Sequence, residues 1–282
     1  EIGVRLVGSE MCIRDRSPLQ HELLRLWMGQ NRDICVVGDP AQTIYSFAGA
    51  NSYYLLSFPQ EFAPLGADIS LNTDYRSTER IVGLANRVLA ASAHKKDYVK
   101  VKAATKGGVR VSQQVFATDV EEALGVVEQI AKLVKSGVAH LGECAILTRT
   151  NAQQQVVCKA LKAAKLPYRV RKDVGWQRNV LEDAQSYGSQ GISDIFASSN
   201  ISTVTVSTIH AVKGLEFAHV YVIGCSEGLI PFGSTTDDSA LEEERRLMYV
   251  AITRAEKTLH LSYASRKDSG TGMNRVPSRF LA

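Results

Sequence analysis

The sequence predicts an α/β fold with a mainly parallel sheet. Short apolar runs typical of strands alternate along the chain with amphipathic patterns typical of helices. One example is the apolar run at 144–148, which is followed by a helical pattern as far as about Lys165. The composition agrees, because 45% of the 282 residues are hydrophobic and 22% are charged, as in globular proteins of one or two domains.

Apolar periodicity and capping residues predict the individual elements in chain order. In the first half they are a helix from Ser17, a strand at 34–37, a helix at about 52–62, a strand at 68–71, a helix capped by Ser77 or Thr78, and a strand at 109–116. In the second half they are a helix capped by Thr118, strands at 144–148 and 168–171 around a helix capped by Asn151, strands at 203–207 and 219–224, a helix from Ser239 to about Ala255, and a strand at 258–264. The Lys-rich stretch at 95–106 is predicted to be a surface excursion, and the polar tail at 265–278 is predicted to be loose.

Several of these elements come with a prediction about burial. The first helix carries Leu19, Leu23, Leu26 and Trp27 on one face. The helix after Thr118 is expected to direct five apolar side chains inward, namely Ala123, Leu124, Val127, Ala131 and Val134. Cys35 and Cys144 stand in apolar runs, so both are expected in the core.

Cysteine spacing, hydropathy and charge exclude several classes of protein. The five cysteines form no C-x-x-C pair, which argues against a zinc ribbon, an iron–sulfur motif and a disulfide scaffold. No apolar run approaches the ~18 residues of a membrane span, and the start shows no secretory pattern. We therefore expect a cytoplasmic protein without membrane association. The net charge of +4 permits a polyanionic partner but does not require one.

Two segments differ from their surroundings in composition. Residues 1–16 show neither a strand nor a helix period, and we interpret them as a non-native assembly-junction segment, with a frayed native terminus as the alternative. Residues 188–203 are rich in Ser and Gly, which is typical of a linker.

Ligands of doubly wound sheets bind beyond the carboxyl ends of the strands, so polar residues after strands are candidate site residues. The cluster at 38–50 places Asp39 and Gln42 after an apolar run, followed by the aromatic residues Tyr45 and Phe47. An amide can hydrogen-bond a phosphate oxygen, and an exposed aromatic ring can stack on a base for ~1–3 kcal/mol. A polar turn with two core aromatics is the alternative.

A second cluster, at 73–77, contains Tyr75 and Arg76. Arginine suits bidentate contact with phosphate, and tyrosine offers a flat face to a purine. An exposed arginine beside a helix cap is the alternative.

Two further clusters contain residues suited to phosphate contact. Lys213-Gly214 follows a strand, but the G-x-x-x-x-G-K-[ST] spacing of a phosphate loop occurs nowhere in the chain. A lone histidine such as His210 is more often structural than catalytic. Arg254 lies near the end of a predicted helix and could act as an arginine finger, although the preceding EEERR run is typical of a solvated helix face.

Five segments, in their order along the chain, resemble the motifs of the UvrD/PcrA/Rep type of superfamily 1 DNA helicase. They are VVGDPAQTIYSFAGA (36–50, motif III), LNTDYRS (71–77, motif IV), AILTRTNAQ (145–153, a strand and loop that touch single-stranded DNA), TVSTIHAVKGLEF (205–217, motif V) and EEERRLMYVAITRA (242–255, motif VI). The resemblance covers residues 17–282. It implies RecA-like lobes of the P-loop NTPase type, each a parallel sheet with flanking helices.

The resemblance also implies a domain organisation. Residues 17–66 would be a remnant of the first lobe, domain 1A, and residues 67–282 would be the second lobe, domain 2A. The linker at 188–203 would stand where related helicases insert their 2B subdomain.

The resemblance implies ATP and Mg²⁺ as cofactors, with the metal ligands mostly in a missing N-terminal half and none assigned in this chain. The implied catalytic residues are Gln42, which senses the γ-phosphate, and Arg76 and Arg254, which contact it. These three residues are also implied to bind the nucleotide. The other implied nucleotide-binding residues are Tyr75, which stacks on adenine, Glu216, which lies near the ribose, and Asp39, Lys213 and Gly214. Arg245 and Arg246 are expected to form ion pairs between elements.

The implied partners are single-stranded DNA and duplex junctions, together with repair or replication proteins. The residues implied to contact DNA are Tyr45, Phe47, Arg149, Asn151, Thr208 and His210.

The chain departs from the family pattern in its phosphate and magnesium motifs. It contains no phosphate loop, and CIRDR stands directly before Ser17, where the family has D-E-x-x-Q-D. Phe47 and Ala48 occupy positions at which Trp and Arg are common, which predicts weaker base stacking and phosphate contact. We therefore expect the chain alone not to hydrolyse ATP.

These observations predict the C-terminal part of an ATP-dependent 3′–5′ DNA helicase or translocase. A catalytically inactive, truncated paralogue that binds single-stranded DNA or a partner is the alternative. A helicase–nuclease of the RecB kind would need a nuclease domain beyond Ala282.

Overall fold

A computed structural model describes residues 17–30, 34–46, 49–171, 202–233, 237–266 and 274–281. The predictions for residues 1–16, for nearly all of 188–203 and for Phe47 lie outside the described residues. The chain divides into two compact units. Residues 1–107 and 235–253 form the helical unit, and residues 108–234 and 254–282 form the sheet unit. The assignment of 17–66 and 67–282 to separate lobes stays a prediction.

Helices and strands alternate along much of the chain. The helices are α1 (Pro18–Met28), α2 (Tyr53–Leu56), α3 (Phe58–Glu61), α4 (Glu79–Ala90), α5 (Asp119–Lys135), α6 (Asn151–Ala163) and α7 (Asp238–Ile252). The strands are β1 (Thr73–Thr78), β2 (Lys102–Thr105), β3 (Ser112–Thr118), β4 (Cys144–Thr148), β5 (Tyr168–Arg171), β6 (Val204–Thr208), β7 (Phe217–Val222), β8 (Gly228–Leu229), β9 (Phe232–Gly233) and β10 (Ala255–Arg266).

The sheet unit is built on a six-stranded parallel sheet in the order β3-β10-β7-β4-β6-β5. Strands β4, β6 and β7 are buried along their whole length, as is typical of central strands covered by helices. Helix α5, which is capped by Thr118 as predicted, packs with α6 over this sheet. The predicted α/β fold with a parallel sheet and flanking helices is therefore confirmed.

The helical unit has its core where α4 packs against α7. Thr78, one of the two residues predicted as the cap, is the N-cap residue of α4, and the helix buries Ile81, Leu84, Val88 and Leu89. The prediction of a solvated face for the EEERR run is wrong, because three of its five side chains are buried on α7. These are Glu242, Glu244 and Arg245.

Two predicted N-caps are displaced by one or two residues. Thr150, not Asn151, caps α6, and its hydroxyl accepts a hydrogen bond from the backbone N–H of Gln153 at 3.4 Å. Asp237, not Ser239, caps α7, and its carboxylate accepts from the backbone N–H of Ser239 at 3.2 Å. A cap residue needs an extended backbone, and Asn151 and Ser239 already lie within their helices.

The strands predicted at 34–37 and 68–71 are wrong. Neither segment is a strand, and Val37, Ile69 and Leu71 are exposed. The strand of this region is β1, which contains the candidate cluster at 73–77. It pairs with β2, which lies in the stretch predicted to be a surface excursion. Pairing decides this outcome, because a strand forms only where another strand satisfies its backbone groups.

Some burial predictions are also wrong. Cys144 is buried as expected, but Cys35 is exposed. Leu124 is exposed on α5, where the buried face includes Glu122 instead. All four apolar side chains of the α1 face are exposed, namely Leu19, Leu23, Leu26 and Trp27. Apolar residues are common on protein surfaces, so an apolar position does not by itself place a side chain in a core.

The segment beyond residue 265 is anchored where it is described. Pro277 bridges to Ser226, and the guanidinium of Arg279 donates to the carboxylate of Glu227 at 2.6 Å. The prediction of a loose segment at 265–278 is therefore wrong for residues 274–278. No helix within the described ranges has both the length and the apolar character that crossing a membrane requires.

Candidate nucleotide and nucleic-acid site

Asp39 and Gln42 lie together in the helical unit, on a 3-10 turn at Pro40–Gln42. One carboxylate oxygen of Asp39 accepts from the backbone N–H of Ala41 at 2.9 Å and caps the turn. The other accepts from the side-chain amide of Gln42 at 2.8 Å. Asp39 therefore sets the orientation of the Gln42 amide.

The segment after Gln42 is held by α7. The backbone N–H of Ser46 donates to the carboxylate of Glu243 at 3.1 Å, and the Ser46 hydroxyl donates to the same carboxylate. The guanidinium Nε of Arg246 donates to the carbonyl oxygen of Thr43 at 2.6 Å. Tyr45, which is half-buried, thus lies on a segment secured at both ends.

Tyr75 and Arg76 are exposed on β1 of the helical unit. The Tyr75 side chain is 82% exposed, so its ring is accessible to a planar ligand. Asp74 shapes the backbone here, because its carboxylate accepts from the N–H groups of Arg76 at 2.6 Å and Ser77 at 3.0 Å.

Four residues predicted to contact DNA lie at one edge of the sheet unit. Arg149 and Asn151 follow β4, while Thr208 and His210 stand at the end of β6. The two strands are parallel neighbours, and Thr148 pairs in register with Thr208. Parallel register therefore brings together residues that are far apart in sequence. Thr208 and His210 are buried, whereas Asn151 is exposed.

One aromatic residue beside Arg149 was not among the residues predicted from the sequence. The guanidinium carbon of Arg149 lies 5.0 Å from the ring centroid of Phe232, a cation–π distance. Phe232 is 50% exposed and stands on β9, in the turn that follows β7. The sequence signal that could have indicated Phe232 is the Ile-Pro-Phe-Gly turn after a buried strand. Ligands of doubly wound sheets bind beyond the carboxyl ends of the strands, so such a turn is a candidate ligand site.

Within the sheet unit, Arg254 contacts the segment that contains Lys213, Gly214 and Glu216. Its Nη1 donates to the carbonyl oxygen of Leu215 at 2.9 Å, and its own carbonyl accepts from the backbone N–H of Phe217 at 2.9 Å. Gly214 has a φ of +90°, which favours glycine there. Arg254 is only 3% exposed, so the structure shows it as a buried arginine supporting a loop.

Arg245 and Arg246 both contact other elements, as expected for residues that link elements. Arg245 pairs with Glu242 of its own helix at 3.2 Å and donates to the Val88 carbonyl oxygen of α4 at 3.0 Å. Arg246 donates a hydrogen bond to the carbonyl oxygen of Thr43. The described contacts of both arginines to other elements include hydrogen bonds to carbonyl oxygens.

A buried carboxyl group lies near the carboxyl ends of β7 and β10. One oxygen of Glu122 accepts from the backbone N–H of Gly224 at 2.9 Å and from the Ser262 hydroxyl at 2.6 Å. Burial of the carboxylate raises the pKa of Glu122 to about 6, although both hydrogen bonds act in the opposite direction.

Glu122→Gln is expected to make the protein more stable than the wild type above pH 6. The folded-state pKa is raised, so the favourable contribution of the protonated carboxyl is present below about pH 4.5 and is lost as the pH rises through 6. The variant should therefore gain up to about 2 kcal/mol at pH 7 to 8. Denaturant unfolding across this pH range measures the difference.

The exposed neighbour Glu121→Gln is the matched control for the loss of one charge on α5. A stability difference between Glu122→Gln and the wild type that stays constant between pH 4 and 8 would contradict the assignment.

The fold and the site together define a class of protein: a parallel α/β domain with polar, basic and aromatic side chains gathered at the strand ends. The model of the UvrD-like helicase C-terminal domain matches residues 69–187 and 178–266, and that of the UvrD/REP helicase N-terminal domain matches residues 14–63. The chain therefore belongs to the UvrD-like helicase family.

Curated relatives agree with this assignment. The chain is 31% identical to the ATP-dependent DNA helicase UvrD2 of Mycobacterium bovis, over 95% of this chain and 49% of the relative. It is 25% identical to the ATP-dependent DNA helicase PcrA of Staphylococcus epidermidis, over 95% of this chain and 56% of that relative. The chain thus spans about half the length of these relatives. A solved C-terminal domain of a possible DNA helicase from Lactobacillus plantarum matches 74% of this chain and 92% of its own, at 20% identity and a TM-score of 0.46.

Proposed function

We propose that this chain is the C-terminal part of an ATP-dependent 3′–5′ DNA helicase or translocase. The observation that carries the proposal is the edge where β4 and β6 end. In a chain of the UvrD-like helicase family, the parallel register gathers Arg149, Asn151, Thr208 and His210 at that edge. A cationic side chain beside polar groups suits the backbone of a single strand.

The described residues fit parts of a nucleotide site in each unit. In the helical unit, the exposed Tyr75 ring suits a purine, and Asp39 orients the Gln42 amide for a phosphate oxygen. In the sheet unit, Arg254 braces the loop that contains Lys213, Gly214 and Glu216. We propose that movement is driven by transfer of the γ-phosphoryl group of ATP to water, with ADP as the leaving group, and that the ligands of Mg²⁺ lie mostly outside this chain. The chain by itself is proposed to be inactive as an ATPase.

The match to the relatives supports the proposed domain organisation. Their alignments run over 342 and 413 positions, more than the 282 residues of this chain, so the relatives contain segments that it lacks. The C-terminal family model matches in two pieces that overlap at 178–187, next to the proposed linker at 188–203. We propose that a 2B-type subdomain is absent at this point.

The proposed partners are single-stranded DNA and duplex junctions, and the proposed setting is DNA repair or replication in the cytoplasm. Translocation would couple the DNA edge of the sheet unit to the nucleotide residues of both units.

The purified chain is expected to bind single-stranded oligo(dT) in a salt-dependent manner. Each phosphate contact releases counterions, so a few contacts should weaken the affinity about tenfold between about 50 and about 200 mM salt. Fluorescence anisotropy with a labelled oligonucleotide measures this dependence. Duplex DNA of equal length is the control and is expected to bind more weakly. Absence of binding at low salt would overturn the DNA-binding part of the proposal.

A further inference from the structure

We infer that a cleft in the helical unit is a docking site for an acidic segment of a partner protein, which inserts one apolar side chain into it. The cleft encloses about 210 Å³ between the end of α4 and the segment that leads into β2. None of its described lining residues is among the candidate nucleotide or DNA residues named above. The inference therefore goes beyond the proposed helicase activity and does not depend on it.

The interior of the cleft is apolar and small. Leu89 and Ala90 of α4 and Val99 of the facing segment contribute aliphatic surface to its lining. Pockets for small-molecule ligands usually enclose about 300–1,000 Å³, so a cleft of about 210 Å³ is too small for a nucleotide or a cofactor. One apolar side chain of a partner fits this volume.

Hydrogen bonds hold the walls of the cleft in place. The hydroxyl of Tyr98 donates to the carboxylate of Glu242 on α7 at 2.6 Å. The side-chain amide of Asn86 on α4 donates to the carbonyl oxygen of Val101 at 2.7 Å and accepts from its backbone N–H at 3.2 Å. These bonds tie the segment before β2 to both helices. The cleft is therefore preformed, and little ordering is required when a side chain enters it.

The rim of the cleft is basic. Lys95 and Lys100 line it, and both are exposed. The stretch 94–106 contains five lysines and one acidic residue, Asp97, whose carboxylate lies 3.8 Å from a ring nitrogen of His94. Carboxylates on both sides of an apolar anchor would complement this charge, and such complementarity gives an interface its specificity. An acidic peptide with an apolar residue in its middle matches both the rim and the interior.

A single strand of DNA would match only the lysines. Bases bind by stacking on accessible aromatic faces, but the aromatic ring in this lining, that of Tyr98, is half-buried and is held by its hydroxyl. A phosphate backbone would leave the apolar interior unused, because phosphate gains nothing from contact with aliphatic surface. The observations therefore favour a protein segment as the occupant.

A fluorescein-labelled peptide in which one phenylalanine stands between glutamates is the probe. We expect the 282-residue chain to bind it at low salt, as measured by fluorescence anisotropy. Replacing the phenylalanine of the peptide by alanine should weaken binding about tenfold, because the anchor is lost. Replacing the glutamates by lysines should abolish binding. Equal affinity for the phenylalanine and alanine peptides, or no binding of the phenylalanine peptide, would overturn the inference and leave the proposed function untouched.

Variants of the chain test the location of the site. Ala90→Trp, at an exposed position at the end of α4, fills the cleft and should weaken binding of the peptide about tenfold. Lys100→Glu should weaken it about fivefold at low salt. Lys106→Glu makes the same change of charge outside the lining, so it is the matched control and should stay within about twofold of the wild type. Equal losses with the two lysine variants would contradict the inference, by showing attraction to general charge alone.

Two further measurements complete the test. Urea unfolding of each variant checks that it is folded, and if Ala90→Trp is not, the pair of peptides and Lys100→Glu decide the question. Ala90→Trp should bind oligo(dT) as tightly as the wild type does. A loss of about tenfold in that affinity would overturn the inference, because it would show that the cleft takes a nucleic acid.

Discussion

Arg254→Ala is expected to lower ATP turnover about 10³-fold in the complete helicase polypeptide to which we propose this chain belongs. An arginine that meets the transferring phosphoryl group stabilises charge in the transition state more than in the bound ground state. Nucleotide binding should therefore change much less than turnover. Steady-state ATPase kinetics with saturating single-stranded DNA, together with binding of a labelled nucleotide, measure the two effects.

A purely structural role of Arg254 predicts a different pattern. The side chain is buried and donates to the Leu215 carbonyl oxygen, so the alanine variant should also lose roughly 1.5–3 kcal/mol of stability. Arg254→Lys keeps the positive charge and a donor for that carbonyl. We expect it to recover much of the stability but little of the turnover, because lysine lacks the planar fork of arginine. If Arg254→Lys recovered both the stability and the turnover, Arg254 would have a structural role alone. The control is Arg266→Ala, which removes an exposed arginine on β10.

Glu242→Ala is expected to lower the free energy of unfolding by about 3–5 kcal/mol, because it breaks a buried charge pair. The Glu242 carboxylate accepts from the hydroxyls of Ser92 at 2.7 Å and Tyr98 at 2.6 Å, and from Arg245 at 3.2 Å. Burial, together with the bond to Glu242, raises the pKa of Tyr98 to about 12, so the phenol stays a donor. Urea unfolding of the 282-residue chain at pH 7 measures the loss.

Two variants test the origin of that loss. Glu242→Gln keeps an acceptor for the two hydroxyls but removes the charge that faces Arg245, and it should cost less than the alanine variant. Glu128→Ala removes a carboxylate whose only described ion pair, with Lys132, is exposed, and it should leave the stability nearly unchanged. A loss with Glu242→Ala no larger than that with Glu128→Ala would show that the buried network contributes little.

Local signals predicted most elements of the sheet unit. The apolar runs at β4 and β7 and the capping residue Thr118 lie where the sequence indicated. These signals act within one element, so they need no knowledge of its neighbours. Predictions failed where a partner strand was decisive, as at 34–37, 68–71 and β2, because pairing joins segments distant in sequence.

The candidate site shows the same division. Spacing after strands and the order of the motifs predicted Gln42, Tyr75, Arg149, His210 and Arg254 as candidate site residues without coordinates. Their surroundings were not predictable, because each depends on contacts between distant segments. Asp39 was predicted near the phosphate, and the structure adds its bond to the Gln42 amide. The pairing of Ser46 with Glu243 joins residues almost two hundred positions apart.

The sequence by itself determined the parallel α/β class, the helicase-like order of motifs and the identity of the residues suited to phosphate or base contact. These properties follow from local pattern and residue chemistry. Only the tertiary structure decided that Arg254 is buried against Leu215, that Glu242 lies in a core, and that Phe232 stands exposed beside Arg149. Burial and side-chain partnership depend on which distant segments pack together, and no local pattern in the chain specifies that packing.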